Sequence, residues 1–490
     1  MKPTLRPGRM RPLDGRKIVA PLEIPAHHLN LHGCVLGMTG SGKTGLMTVL
    51  VEEALRVSVP VLVIDVKGDL PNLLLTFPSF DPALVAPWVE ASPNDPNGAL
   101  ATAARLADER RKGLAVHGIG EVELVDFVKR THVRVITPGA DAGELLHVLS
   151  ALERRSARWD TDVEGARAAL SAAISLILRL LGRDPDPARS REHVLLSVLA
   201  ERRLSGGQDA DIGSLLPEIV DPPLATIGAL DVEGFMSKRA RRDLAAALNT
   251  LLASPSFSSW RQGETLDVGA WMQPVVVRTG VGASASEAKH TPQAGPAPSC
   301  AREETISKTP ATILSVAHLD DDERALVLGV VLEEVLTWVR SLPGTQRLKA
   351  LIVFDEVYGF LPPHPASPPT KRPLVALMKQ ARAYGVGVLV ATQNPMDLDY
   401  RALSNAGLWC LGRLQTDADR ERVLDGLANE AGNGQSADEL SDVLKRLQPR
   451  WFVVRDAQSG GPSVLLQPRW AMSFLRGPMT RQEIKRARRK

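Results

Sequence analysis

The octapeptide Gly37-Met38-Thr39-Gly40-Ser41-Gly42-Lys43-Thr44 limits what this chain can become more than any other stretch. Its spacing is G-x-x-x-x-G-K-[ST], and its flanks agree with its letters. Cys34-Val35-Leu36 leads in as a buried strand, and Gly45 to Arg56 leads out with Leu46, Leu50, Val51 and Leu55 at helical spacing. Glycine lets backbone N–H groups close around phosphate oxygens without Cβ clashes, and the start of a helix adds its positive end. The backbone of Gly37, Thr39, Gly40, Ser41 and Gly42 is therefore expected to cradle phosphates. Lys43 is expected to reach the β- and γ-phosphates of a nucleotide, and the Thr44 hydroxyl to ligate Mg²⁺.

A chain of 490 residues can bury a large core and suits two or three structural units. A net charge of +3 is too small to imply nucleic acid by itself, so any basic patch must be local. Cys34, Cys300 and Cys410 are scattered without metal-ligand spacing, which points to a reducing compartment and no disulfide framework. No apolar run approaches the ~20 residues of a membrane helix, and the Arg-rich start has no apolar signal-peptide segment. The expected location is the cytoplasm, without a membrane partner.

Taken in order, the chain divides into six segments. Residues 1–30 carry Lys2, Arg6, Arg9, Arg11, Arg16 and Lys17 among five prolines and read as a basic extended arm. Residues 31–141 form the first half of an α/β core, in which Val61-Leu62-Val63-Ile64 suits a parallel strand covered on both faces. Asp65, Lys67 and Asp69 then fall at the carboxyl edge of the sheet, where open α/β sheets place ligands. Residues 142–262 change to helical period and read as an inserted helical unit. Its basic run Lys238, Arg239, Arg241 and Arg242 is either a solvated helix face or a phosphate contact. Residues 263–310 include a Ser-, Ala-, Pro- and Gly-rich stretch and read as a flexible linker. Residues 311–470 form the second half of the core. Residues 471–490 are a basic tail that stops while still patterned as a helix, so the native chain is expected to continue beyond it.

The second half holds Leu351-Ile352-Val353-Phe354-Asp355-Glu356, an apolar strand ending in two acids, which is the Walker B pattern. Asp355 would hold Mg²⁺ directly or through water, and Glu356 would polarise the attacking water. Val386 to Val390 is another strand, and Gln393 just past it is a candidate γ-phosphate sensor, the alternative being a simple Asn-Pro turn at Asn394-Pro395.

With GMTGSGKT at 37–44, VIDVKGDL at 63–70, LIVFDE at 351–356 and ARAYGVGVLVATQNP at 381–395, in that order, the chain resembles the HerA/FtsK branch of P-loop ATPases, most of all its HerA side. The resemblance implies a RecA-like (ASCE) P-loop fold with a mostly parallel central sheet, here interrupted by the helical insertion. It implies ATP and Mg²⁺ as cofactors, hexameric rings and sequence-nonspecific DNA threaded through the ring, with a nuclease or other effector as partner. It also implies an arginine acting on a neighbouring subunit's nucleotide. Arg382 matches that position, with Arg413 in reserve. The expected activity is thus ATP-driven DNA translocation. A motor for nucleoprotein or protein transfer, and an ATP-gated scaffold, are the other readings.

Overall fold

A computed structural model describes residues 3–13, 19–90, 98–279, 304–393, 398–399, 405–414, 416–428 and 437–489. Its backbone is a single twelve-stranded sheet with helices on both faces. The strands are β1 (Thr4–Pro12), β2 (Ala20–Pro25), β3 (Gly33–Leu36), β4 (Val61–Asp65), β5 (Thr131–Ile136) and β6 (Val275–Thr279). They continue with β7 (Glu304–Ser315), β8 (Ala350–Asp355), β9 (Val386–Thr392), β10 (Leu408–Leu411), β11 (Phe452–Asp456) and β12 (Val464–Pro468). Across the sheet the order is β6-β7-β4-β8-β9-β3-β10-β11-β12-β1-β2, with β5 alongside β7. From β5 through β10 the pairings are parallel. This is the expected α/β fold with a mostly parallel central sheet.

The apolar runs explain the layering. Each central strand sends alternate residues to opposite faces, and here both faces are covered. Leu62, Ile64, Ile352 and Phe354 enter one core, while Val61, Val63, Leu351 and Val353 enter the other. Helices α1 (Lys43–Arg56) and α2 (Gly98–Ala115) contribute to the second core. The helical insertion, with α3 (Val163–Leu180), α4 (Arg191–Ser205), α5 (Ile212–Val220) and α6 (Lys238–Ala253), packs into the first core. It meets there the long helix α7 (Asp321–Ser341) and α8 (Lys371–Gln380). Asp320 caps α7 as an acid at a helix start should, accepting from the Glu323 N–H at 2.8 Å.

Two expectations are corrected, and a third, the helical pattern of the tail, is met. The N-terminal segment is not a free arm: β1 pairs antiparallel with β12, and β2 with β1. Its prolines masked this, yet Pro7 sits where the β1–β2 register shifts, and β2 is the sheet's edge, the places where a strand tolerates proline. A side chain at Gly8 would meet the Gln467 carbonyl at 2.1 Å, so this pairing requires glycine there. The 263–310 linker contains β6 and the start of β7, which pair antiparallel; the stretch between them, 280–303, lies outside the described residues, as do Asn394 and Pro395. The basic tail forms α9 (Arg481–Arg488), with Ile484 and Ala487 buried.

Behind α1 lies a buried ion cluster. Arg469, 2% exposed, donates to Glu52 at 2.8 Å and to Glu53 at 2.9 Å. Glu52 also accepts the N–H groups of Met472 and Ser473, both at 2.9 Å, and Glu53 accepts that of Arg6 at 2.8 Å. One cluster thus ties α1 to β1 and to the chain after β12. Arg469→Met would leave Glu52 buried without its ion-pair partner and Glu53 with Arg56 alone. The expected loss is about 3–5 kcal/mol, read as a lower urea midpoint.

At the other end of β3, His32 is 1% exposed and its Nδ1 accepts the Val388 N–H at 3.0 Å. Burial pushes its pKa down from 6.5 to about 4. The unfolded chain therefore binds the proton first as pH falls, so this contribution is intact above pH 6.5 and lost towards pH 4. The loss is about 3 kcal/mol at most. His32→Asn, which keeps an acceptor but cannot titrate, should flatten stability between those limits in pH-dependent urea unfolding.

Candidate nucleotide site

The carboxyl ends of β3, β4, β8 and β9 converge on one edge of the sheet. There the octapeptide turns from β3 into α1. Gly40 and Gly42 have φ of 78° and 96°, values that other residues adopt only under strain. The loop is pinned from both sides: Gly37 N–H donates to Thr392 O at 3.3 Å and Met38 N–H to Arg413 O at 2.8 Å. Arg450 N–H donates to Ser41 O at 2.9 Å, holding the loop from the β11 side. Lys43 is buried and folds its ammonium back on the Gly37 and Met38 carbonyls. Burial pulls its pKa down to about 8 against the opposing charge of Glu356. The Ser41 hydroxyl is buried without a hydrogen-bond partner among the described residues, as a donor kept for an anion would be.

The acids come from β4 and β8. Asp355 and Asp65 are register partners on these parallel strands, and both are buried. Asp65 accepts from Gly68 N–H at 2.9 Å and from Ser315 Oγ at 3.0 Å. Burial raises its pKa to about 6. Asp355 is pushed to about 7, by burial first and by the charge of Asp65 second. Its Oδ2 is buried and has no partner among the described residues. A carboxylate left open beside a phosphate cradle fits Mg²⁺, which takes one or two protein oxygens and otherwise phosphate and water. Thr44 at the start of α1 and Asp355 are the residues that would hold it.

Glu356 has φ of 65°, a left-handed conformation uncommon for a residue with a Cβ. Its Oε2 accepts from Lys67 Nζ at 2.6 Å, and its Oε1 from Thr392 Oγ1 at 2.9 Å and Gln393 N–H at 3.2 Å. Burial alone would raise its pKa, but these donors, Lys67 foremost, outweigh it and hold the carboxyl below its usual range. The Gln393 side chain meets the Thr39 hydroxyl of the octapeptide, so the tip of β9 touches the cradle.

Of the residues singled out from sequence, Gly37, Thr39–Thr44, Asp355, Glu356 and Gln393 gather here. Arg382 does not. It is exposed, just before β9, at the opposite edge of the sheet, and the seven residues of β9 separate it from Thr392 by roughly 20 Å. It lines a cavity of about 540 Å³ with Lys379 and Arg455. Arg413 lies at the cradle edge with its side chain exposed. Lys67, Thr392 and Ser315 carry no motif signal of their own for this site, although Lys67 stands in the VIDVKGDL stretch, which could have marked it. Several side chains of the basic segments are engaged within the chain. Lys238 pairs with Asp221 at 2.6 Å, and buried Arg241 donates to Val220 O and Glu233. Lys371 lies 3.4 Å from Asp399, and Lys485 pairs with Asp141 at 2.6 Å. Arg486 covers the Trp88 ring at 4.0 Å.

Residues 6–95 match the family model of the central domain of the helicase HerA. No curated protein sequence matches the chain. Among solved structures, VirB4 of Thermoanaerobacter pseudethanolicus is similar at 12% identity, over 95% of this chain and 96% of that one, with a TM-score of 0.44. The bacterial conjugative coupling protein TrwBΔN70, in complex with sulphate, is similar at 12% identity over 93% and 90%, with a TM-score of 0.47. The genome packaging NTPase B204 from Sulfolobus turreted icosahedral virus 2, with AMP, is similar at 15% identity over 33% and 68%, with a TM-score of 0.23. At such scores these likenesses carry neither fold nor activity across. The motifs and their convergence make the chain a P-loop ATPase, and its residues 6–95 are similar to the HerA central domain. Among the described residues no helix is long and apolar enough to cross a membrane.

Replacing Lys67 tests the edge cluster directly. Lys67→Met should lower ATP turnover on the order of ten- to a hundredfold by loosening Glu356, with KM for ATP within about threefold of wild type. Lys67→Arg should restore most of the rate. Steady-state kinetics would show a KM effect instead if Lys67 served only to bind substrate.

Proposed function

We propose that this P-loop ATPase is a HerA-type ring motor that hydrolyses ATP to move DNA without regard to sequence, as a hexamer and together with an effector such as a nuclease. Lys43 and Gln393 contact the γ-phosphate end, Thr44 and Asp355 hold Mg²⁺, and Glu356 polarises the attacking water. Bound Mg²⁺ offsets charge on the phosphates. The observation that carries this reading is the split between the two sheet edges. A complete set of in-chain groups surrounds the cradle, while Arg382 stands on the far edge and cannot serve its own site. A neighbouring copy presenting Arg382 across a head-to-tail interface would complete the centre, and head-to-tail contacts close into rings.

DNA as substrate rests on the family match more than on surface charge, because so many basic side chains are engaged inside the chain. That engagement favours keeping a second reading, a motor for nucleoprotein or protein transfer. ATPase rate against added single- and double-stranded DNA at low salt, with mass measurement of the assembly, separates them. Stimulation that fades steeply with salt is expected for phosphate contacts. A rate indifferent to both forms of DNA would exclude the translocase.

Two variants test the shared site. Arg382→Ala should bind ATP normally yet hydrolyse it ~10³-fold or more slowly, as loss of an arginine finger does. Lys43→Ala should weaken binding as well. Mixing the two inactive variants should return part of the activity, since some interfaces would then unite an intact Lys43 with an intact Arg382. Near-normal hydrolysis by Arg382→Ala would assign the finger to another residue.

A further inference from the structure

We propose that the chain after β12, from Ser473 through α9, is a positioning brace for Lys67 and so for the carboxylate that Lys67 holds. Its role rests on the ATPase reading above, in which Glu356 polarises the attacking water. Lys67 sits in the bend at 66–68 that leaves β4, and its Nζ reaches Glu356 Oε2 at 2.6 Å. A lysine stem is long and flexible, so a short contact at its tip requires the backbone at its root to be held. The next residue works against that. Gly68 has φ of 88°, and glycine has the widest choice of backbone conformations.

The brace holds this bend from outside. Residues 473–479 run antiparallel to the short 3-10 helix Leu70–Leu75 and to the bend before it. Ser473 bridges to Thr76, and Phe474 N–H donates to Leu75 O at 3.1 Å. Asn72 Nδ2 donates to Gly477 O at 2.8 Å, and Met479 N–H to Gly68 O at 2.9 Å. Each step forward in one segment is a step back in the other, so the ladder ends beside Lys67. Asn72, 2% exposed, also donates to Asp69 O at 2.7 Å, so one amide joins the bend to the brace. From inside, Gly68 N–H donates to Asp65 Oδ1 at 2.9 Å. Both main-chain polar groups of Gly68 are thus engaged, one by the strand end and one by the brace.

α9 keeps the brace seated. It packs on the same short helix, with Ile484 and Ala487 buried in the core that contains Leu70 and Leu73. Thr480 and Glu483 close a capping box at its start, directly after Met479. Arg486 donates to Pro87 O at 2.8 Å while covering Trp88.

The test is steady-state ATPase kinetics on the full chain, with each brace variant made in the wild-type and the Lys67→Met backgrounds. Ile484→Asp lifts α9 from its seat, and Asn72→Leu removes both donated hydrogen bonds at similar side-chain volume. Each should lower kcat about tenfold with KM for ATP within about threefold, and Ile484→Leu should keep the wild-type rate. In the Lys67→Met background neither should lower kcat by more than about twofold, because the group they position is gone. The two variants act from opposite sides of the seam, so either alone decides the outcome. Equal fold losses in both backgrounds would make the segment a general structural support and overturn the brace. Wild-type kcat in the brace variants, with Lys67→Met slow, would overturn the brace alone. Wild-type kcat in Lys67→Met would overturn the role of Lys67, and the brace with it.

Discussion

Two carboxylates buried side by side at the ends of neighbouring parallel strands set the terms for this protein. Asp65 and Asp355 are register partners on β4 and β8, and like charges so placed raise each other's cost of ionisation. Everything around them shares or offsets that charge. Ser315 and the Gly68 N–H bond to Asp65, while Lys67 and Lys43 bring cations to the same edge. Among the described residues Asp355 keeps one oxygen without a partner, which is where a cation would fit. An edge arranged in this way is poised for a metal–triphosphate, whose charges fit both the open carboxylate and the two lysines.

The same edge explains the unusual backbone of Glu356. A left-handed residue immediately after β8 turns the side chain aside from the strand direction, where Lys67, Thr392 and Gln393 hold it. Such strain persists only where surrounding contacts over-determine the conformation, and three donors on one carboxylate do so. β9 contributes twice, through Thr392 and Gln393 to Glu356 and through Gln393 to Thr39. The candidate acid and the phosphate loop are thereby joined through a single strand tip.

On the opposite face, α1 is positioned as much by its back as by its start. Arg469, Glu52 and Glu53 bind the helix to the segment after β12, which also carries Trp470. Arg450 reaches the loop from just before β11 through its backbone N–H. The far, antiparallel side of the sheet is therefore not an appendage. It supports the phosphate loop.

Some of this was legible in the residues because it is local. Glycine φ freedom, an apolar run that ends in acids, and helical spacing after Thr44 each depend on a few consecutive residues, and so the octapeptide, Asp355, Glu356 and the parallel core were found without coordinates. The strands at 4–12 and 20–25 were not, because proline and arginine hide a strand whose pairing partner, β12, lies at the other end of the chain. Lys67 could be put at the sheet edge, but its partner Glu356 is 289 residues away. The basic run at 238–242 could be read as a solvated helix face or a phosphate contact, and only folding showed Lys238 and Arg241 paired within their own chain. The sequence by itself determined that a phosphate loop and two acids exist, since backbone freedom and hydrophobic pattern are properties of short segments. Tertiary structure alone decided which charges face each other, that Arg382 stands away from its own cradle, and where a cavity remains, since these depend on contacts between residues far apart in the chain.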